Sequence, residues 1–125
     1  MRQPEIIRAG NIEIVYLDFS EIKKREEIFD QIELFGNYIR KQPLKSVYTL
    51  TNLENMYFNT EIYNKFTAYV KDNNPYIKGS AVIGLKGMMQ IFYKSFIKLT
   101  GRNVKVCDSK GEAIQILSRN LVEAF

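Results

Sequence analysis

Short apolar runs of strand length alternate along this chain with segments of helical period, and that alternation restricts the fold more than any other feature. Glu5 to Arg8 and Ile12 to Leu17 read as strands, and the turn residues Ala9, Gly10 and Asn11 between them predict an opening hairpin. The period then changes. Ile28, Ile32, Phe35 and Ile39 recur at helical spacing in a segment expected from Ser20 to just before Pro43, with Asp18 and Glu21 in capping-box relation near its start. Ser46 to Asn52 is the next strand, and Leu53 to Phe58 a loop. Asn59 caps a second helix with Ile62, Phe66, Tyr69 and Val70 inside, stopped by Asn73, Asn74 and Pro75. Tyr76 to Gly84 is a strand whose run Ala81, Val82, Ile83 suits a sheet covered on both faces. A third helix is expected from Lys86 to Thr100, closing at Gly101, then a strand from Asn103 to Cys107. Ser109 and Glu112 form a capping box for a last helix to about Ala124. Because each later return between strands passes through a helix, those strands are expected to be parallel, with right-handed crossovers. The expectation is one α/β domain over residues 1–125: an open mixed sheet of about five strands with about four helices.

The same residues exclude several classes of protein. Cys107 is the single cysteine and there is no histidine, so neither an internal disulfide nor the common zinc and soft-metal sites can be built, and no cofactor is expected. Glu5, Glu13 and Asp18 interrupt the first thirty residues, and no stretch reaches the roughly 18 apolar residues a membrane span requires. A reducing, cytoplasmic setting is expected. The net charge of +4 is modest but unevenly spread. Between Asn73 and Cys107 stand Lys78, Lys86, Lys94, Lys98, Arg102 and Lys105 with no acid among them, which predicts a positive field on that half.

Four phrases carry a resemblance: VYLDFS (Val15 to Ser20), KQPLKSVYTLT (Lys41 to Thr51), NPYIKGSAVIG (Asn74 to Gly84) and FIKLTGRNVKVCD (Phe96 to Asp108). Together with the order of elements, the chain from about Ile12 to Leu117 resembles the STAS fold of the anti-sigma factor antagonists, and within it a bacterial group of small STAS/SEC14-like, or SpoIIAA-like, proteins. The resemblance implies a regulatory or binding module, not an enzyme, with partners or small ligands engaged near the strand ends. It also implies a phosphorylated serine or threonine in a D-S-x-G-like loop before the helix that follows a central strand. The corresponding stretch here, Thr51 to Asn59 (TNLENMYFN), has no serine and no glycine, and only Thr60 stands at the helix start. A phosphoswitch at Thr51 or Thr60 is therefore the alternative reading.

In an open parallel sheet, ligands sit beyond the carboxyl ends of the strands. That rule selects Asp18, Ser20, Thr51, Asn52, the turn Gly84 to Gly87, Asp108 and Ser109. Helix capping accounts for Asp18, Ser20, Asp108 and Ser109. A hydrolytic pair of Asp18 and Asp108 is the catalytic alternative, with no histidine or nucleophile motif beside it. The GLKG turn leads into a helix N-terminus, where free N–H groups and Lys86 suit an anion, although Gly84 and Gly87 equally suit a tight turn.

The segment Lys86 to Thr100 is the most unusual. Met88, Met89, Ile91, Phe92, Tyr93, Phe96, Ile97 and Leu99 cover more than the stripe of about 100° that docks a surface helix. Lys86, Lys94, Lys98 and Arg102 run at spacings of four or eight, a basic edge beside that apolar face. Three arrangements fit the excess: two buried faces, against the sheet and against a neighbouring helix or a second subunit; an apolar groove for a lipid-like ligand whose headgroup meets the basic row; or peripheral docking on an anionic membrane. Met56, Tyr57 and Phe58 are large apolar residues in a loop and suit a partner contact or a pocket lid. The remaining aromatics fall at core-facing periods, away from the basic segment, so nucleic acid is not an expected partner. The run Lys23, Lys24, Arg25, Glu26, Glu27 reads as a solvated helix face, and Cys107 as small core filler. A protein partner, a homodimer or an apolar anion near 86–100 is the expected target of binding.

Overall fold

The computed structural model describes the backbone of residues 1–123 and the surroundings of side chains through Arg119. Strand β1 (Glu5–Ala9) turns at Gly10, whose φ of +60° a side chain would resist, and pairs antiparallel with β2 (Ile12–Asp18), Ile7 opposite Ile14. From there each strand lies parallel to the next: β3 (Val47–Asn52) on β2, β4 (Ile77–Ile83) on β3, and the short β5 (Lys105–Cys107) on β4. The spatial order is β1-β2-β3-β4-β5. Helices α1 (Arg25–Ile39), α2 (Thr60–Asn73), α3 (Met88–Thr100) and α4 (Lys110–Glu123) make the connections and close the chain, with a single 3₁₀ turn over Asn74–Tyr76 ahead of β4. The α/β class, the mixed five-stranded sheet and the four helices agree with the sequence reading.

The alternation of side chains along the strands divides the interior into two cores. Val15, Leu17 and Val47 face α1 and α2, joined by Phe19, Ile28, Ile32, Phe35, Ile39 and Ile62. Ile14, Tyr16, Tyr48, Leu50, Ala81 and Ile83 face the other way, where Ala113 and Leu117 of α4 close over them. Gly79 makes room on that side, since a Cβ there would stand 3.0 Å from the Tyr48 ring. The run Ala81, Val82, Ile83 is buried on both faces as expected, with Val82 on the α2 and α3 side.

Helix boundaries depart from the sequence reading in places, for local reasons. α1 begins at Arg25, not near Ser20, because Glu21 has a φ of 64° and cannot continue a right-handed helix. Asp18 Oδ1 instead accepts the Ser20 N–H at 2.9 Å, closing a turn, so the anticipated capping box with Glu21 does not form. Within the charged run, Lys23 and Lys24 precede the helix. Arg25 binds both carboxylate oxygens of Glu61 at 2.9 Å, tying the start of α1 to the first turn of α2. α3 begins at Met88, two residues late, and ends at Gly101 in the left-handed region, as the sequence suggested. Asn59 Oδ1 caps α2 by accepting the Ile62 N–H, and Ser109 Oγ caps α4 by accepting the Glu112 N–H. Glu112 closes the second half of that box on the Asp108 N–H. The proposed end of the last helix at Ala124 lies outside the described residues.

Candidate functional site

The strands β3 and β4 carry short hydroxyl-bearing side chains on the face that looks toward α3. Thr49, Thr51 and Ser80 form this floor with Val82, and Thr49 Oγ1 donates to Ser80 Oγ at 3.0 Å. Such residues project little from the sheet. α3 leans on α2, with fewer close approaches to the strands beneath it, and the space between is a cavity of about 100 Å³. Its walls are apolar: Phe58 and Phe66 from the α2 side, and Met89, Phe92 and Phe96 from α3. Phe92 packs against Phe58 and Tyr63 at centroid distances of 5.8 and 4.7 Å, which holds the aromatic wall in place.

The surface of the cavity is almost wholly apolar, and a group of polar side chains stands behind one end of it. Arg102 follows the left-handed Gly101, so the chain reverses and the guanidinium turns back under α3 toward the sheet. There it donates to Asn74 Oδ1 at 2.8 Å, to the Val70 carbonyl at 2.8 Å and, more weakly, to Ser80 Oγ at 3.4 Å. All three acceptors are neutral, and Arg102 makes no ion pair among the described residues. Burial pushes its pKa down to about 10, well below the usual arginine range. Beside it, Tyr69 is buried with a hydroxyl that has no hydrogen-bond partner, and burial holds its phenol well above the usual tyrosine range. Tyr63, six residues back on α2 and about 9 Å along its axis, has the second unpartnered buried hydroxyl. Both tyrosines line the cavity. Buried polar groups are satisfied in the great majority of cases, so two orphan hydroxyls on residues that line one space mark it as unusual.

The structure distributes the sequence-selected residues unevenly. Thr51, Met56, Phe58, Met89 and Tyr93 line the cavity, and Tyr93 donates its hydroxyl to the Val104 carbonyl. Asn52 does not: its side chain is used structurally, donating to the Tyr16 hydroxyl and accepting the Glu54 N–H. Tyr57 points out and is half-exposed. Thr60, in the first turn of α2, is exposed, as are Lys86, Gly87 and Lys94. In the GLKG turn, Gly84 has a φ of 80°, and a Cβ there would stand 2.4 Å from the Glu54 backbone nitrogen, so backbone packing demands this glycine. The Met89 and Gln90 N–H groups bond the Lys86 and Gly87 carbonyls, which uses donors that an anion at this turn would need.

Two expectations are overturned. The basic row loses Arg102, because helical spacing ceases at Gly101 and the side chain enters the interior. The row also loses register at Lys86, which precedes the helix. Asp18 and Asp108 are not at neighbouring strand ends. β3 and β4 lie between β2 and β5, three strand spacings or about 14 Å, and Asp18 is paired with Arg2 at 3.3 Å.

The sequence does not reveal the polar group at the site. Tyr69 is in the core as its period predicts, without a sign that its hydroxyl lacks a partner, whereas Arg102 leaves the outer edge and Thr49 and Ser80 carry no motif. The signal for Arg102 was present: a residue just past a C-terminal glycine folds back over the helix end. Cys107 is buried in the α4 core with its thiol pKa raised by burial, as expected of a filler. No helix among the described residues is long and apolar enough to cross a membrane. No protein-family model matches the chain, and no curated protein matches it.

Proposed function

We propose that this chain is a non-catalytic, STAS-like binding module of the cytoplasm that takes an apolar, anionic small molecule beneath α3. The observation that carries the reading is the cavity between α3 and the β3–β4 floor, apolar on its surface with a group of polar side chains behind one end. An empty apolar space forfeits dispersion contacts, and large ones are rare in a close-packed interior. A space of this order accepts a benzene-sized guest in an engineered protein, where a cavity of about 150 Å³ does so. The reading is tested by native mass spectrometry of the full chain, as purified and after incubation with short apolar acids and alcohols. Adducts of one small molecule per chain, lost when the cavity is filled by Thr51→Leu, are expected. A chain that takes up none of these compounds and carries none from the cell sinks the reading.

A second reading rests on the outer side of α3. Met88, Ile91 and Leu99 are exposed there, Ile91 by 77%, with Lys94 and Lys98 exposed beside them. A protein partner or a second copy would cover that stripe. Ile91→Lys weakens such a contact and leaves small-molecule uptake unchanged, so pull-down and sedentation measurements separate the two readings by function and by face.

A further inference from the structure

We infer that the buried end of the cavity is a carboxylate subsite in which Arg102 and Tyr69 together hold the headgroup of a small monocarboxylic acid, its apolar body lying against Phe66, Phe92 and Phe96. The inference rests on the reading of the cavity as a ligand site and adds the chemistry of what that site selects.

The charge argument comes first. A guanidinium removed from water without an acid to pair with is expensive, and proteins ordinarily supply a counter-ion. Arg102 has three neutral acceptors instead, and no acid stands between Asn73 and Cys107, the segment that delivers it. Of its five N–H donors these contacts engage three, one of them at 3.4 Å, so the fork retains donors for a further acceptor. A carboxylate is planar, carries one negative charge and accepts from a guanidinium in matching geometry. One partly buried cation without an acid beside it accommodates one anionic charge. A phosphate dianion would bring a second charge with no buried cation to meet it.

The hydroxyl argument is independent of the charge. Tyr69 is buried, its oxygen is sealed from water and bonds nothing, and the residue lines the same cavity. A hydroxyl without a partner costs about as much as a lost hydrogen bond. A carboxylate oxygen held by Arg102 would give that O–H an acceptor. Ser80 and Thr49 already bond each other on the floor, and Ser80 also accepts from Arg102, so the polar end forms one connected group from strand to helix. Selection against neutral analogues should be strong, because a site built around buried polar groups leaves them unpaired when the wrong ligand enters.

The test uses the full chain and two probe families: hexanoate beside hexanol and hexylamine, and 3-phenylpropanoate beside its alcohol. Calorimetry and the ligand-induced rise in Tm report binding. Both acids are expected to bind about tenfold or more tightly than the matching alcohols, and hexylamine not at all. Arg102→Met should abolish the preference for acid over alcohol. Should that variant fold poorly, Tyr69→Phe remains decisive, since it removes one atom. It should weaken the acids about fivefold or more, leave the alcohols unchanged and not lower the Tm of the free protein. Ile91→Lys, on the exposed outer side of α3 and outside the cavity lining, should keep the acid preference. Acids that bind no better than alcohols, or a preference that survives Arg102→Met or Tyr69→Phe, overturn the carboxylate subsite while leaving the cavity reading in place. A chain that binds neither acids nor alcohols overturns both.

Discussion

The two faces of the central sheet are made by the same strands and solve opposite problems. On the α4 face, β3 and β4 present Tyr48, Leu50, Ala81 and Ile83, and Leu117 closes over them without a trace of exposure. On the α3 face the alternating positions hold Thr49, Thr51, Ser80 and Val82, and the helix above leaves a space it does not fill. The difference lies in β3, where Tyr48 and Leu50 fill one face against Thr49 and Thr51 on the other, and in what covers β4, where Tyr48 and Leu117 close over the small Gly79 and Ala81 while Ser80 and Val82 border the space. Large side chains on one face make a closed core that contributes stability, whereas small hydroxyl-bearing ones on the other give up packing and leave room beneath a helix. That division, closed core against open floor, is what the variants below are designed to break or sharpen.

The largest effect should come from the closed face. Leu50→Ala, at a fully buried position, should cost about 2–5 kcal/mol in urea unfolding, because nothing around it can collapse into the void. A loss below about 1 kcal/mol would mean that this face is not the tight one. Gly84→Ala comes next, at roughly 2–3 kcal/mol, since it combines a φ of 80° with a Cβ driven into the Glu54 backbone. It should also displace the Leu53 to Phe58 loop and weaken ligand uptake, a combination that a purely local strain would not produce.

The polar end of the open face has a pH signature. Arg102 has a depressed pKa of about 10, so in the free protein it remains a cation up to about pH 9 and loses its proton as the pH passes 10. Tyr69 keeps its proton throughout, because burial holds its pKa above that range, and Tyr93 is raised in the same direction. Acid affinity should therefore stay level from about pH 6 to 9 and fall about tenfold by pH 11, measured by calorimetry. The sign for stability is the reverse. The folded state penalises the charged guanidinium, fully so below pH 10, and the penalty is relieved as the pH rises above 10 toward the ordinary arginine range. An affinity that does not move between pH 9 and 11, together with acid binding unchanged in Arg102→Met, would remove Arg102 from the site. The smallest effect is expected for Met89→Ala, a buried residue that already borders empty space: about 1 kcal/mol in stability, with longer acids gaining affinity relative to hexanoate. A cost equal to that of Leu50→Ala would show the two faces to be equally tight.

Much of the architecture was legible because it depends on period and local chemistry. Ile28, Ile32, Phe35 and Ile39 mark one helix face wherever that helix ends, and Asn59 and Ser109 cap because their side chains reach N–H groups three residues on. The start of α1 was misplaced because Glu21 takes a left-handed conformation that its residue type rarely adopts. Part of the site was legible too. An apolar groove is one of three arrangements that fit the excess of α3, and a lid one of two for the loop; Met56, Phe58, Met89, Phe92, Tyr93 and Phe96 line the cavity, whereas Met88, Ile91 and Leu99 are exposed on the outer side. Asn52 was selected by the same strand-end rule and serves the fold instead, since its side chain bonds Tyr16 and Glu54.

By itself, then, the sequence determined the class of fold, the alternation of strand and helix, the burial of the Ala81 to Ile83 run and the segment around which binding would be sought. These follow from spacing along the chain, which folding does not alter. Only the tertiary structure decided where Arg102 points, which two tyrosines lack partners, and that Thr49 and Ser80 lie beneath them. Those facts depend on how α2, α3 and two strands converge across more than thirty residues of chain, and on a reversal at Gly101 that converts an apparent surface charge into a buried one.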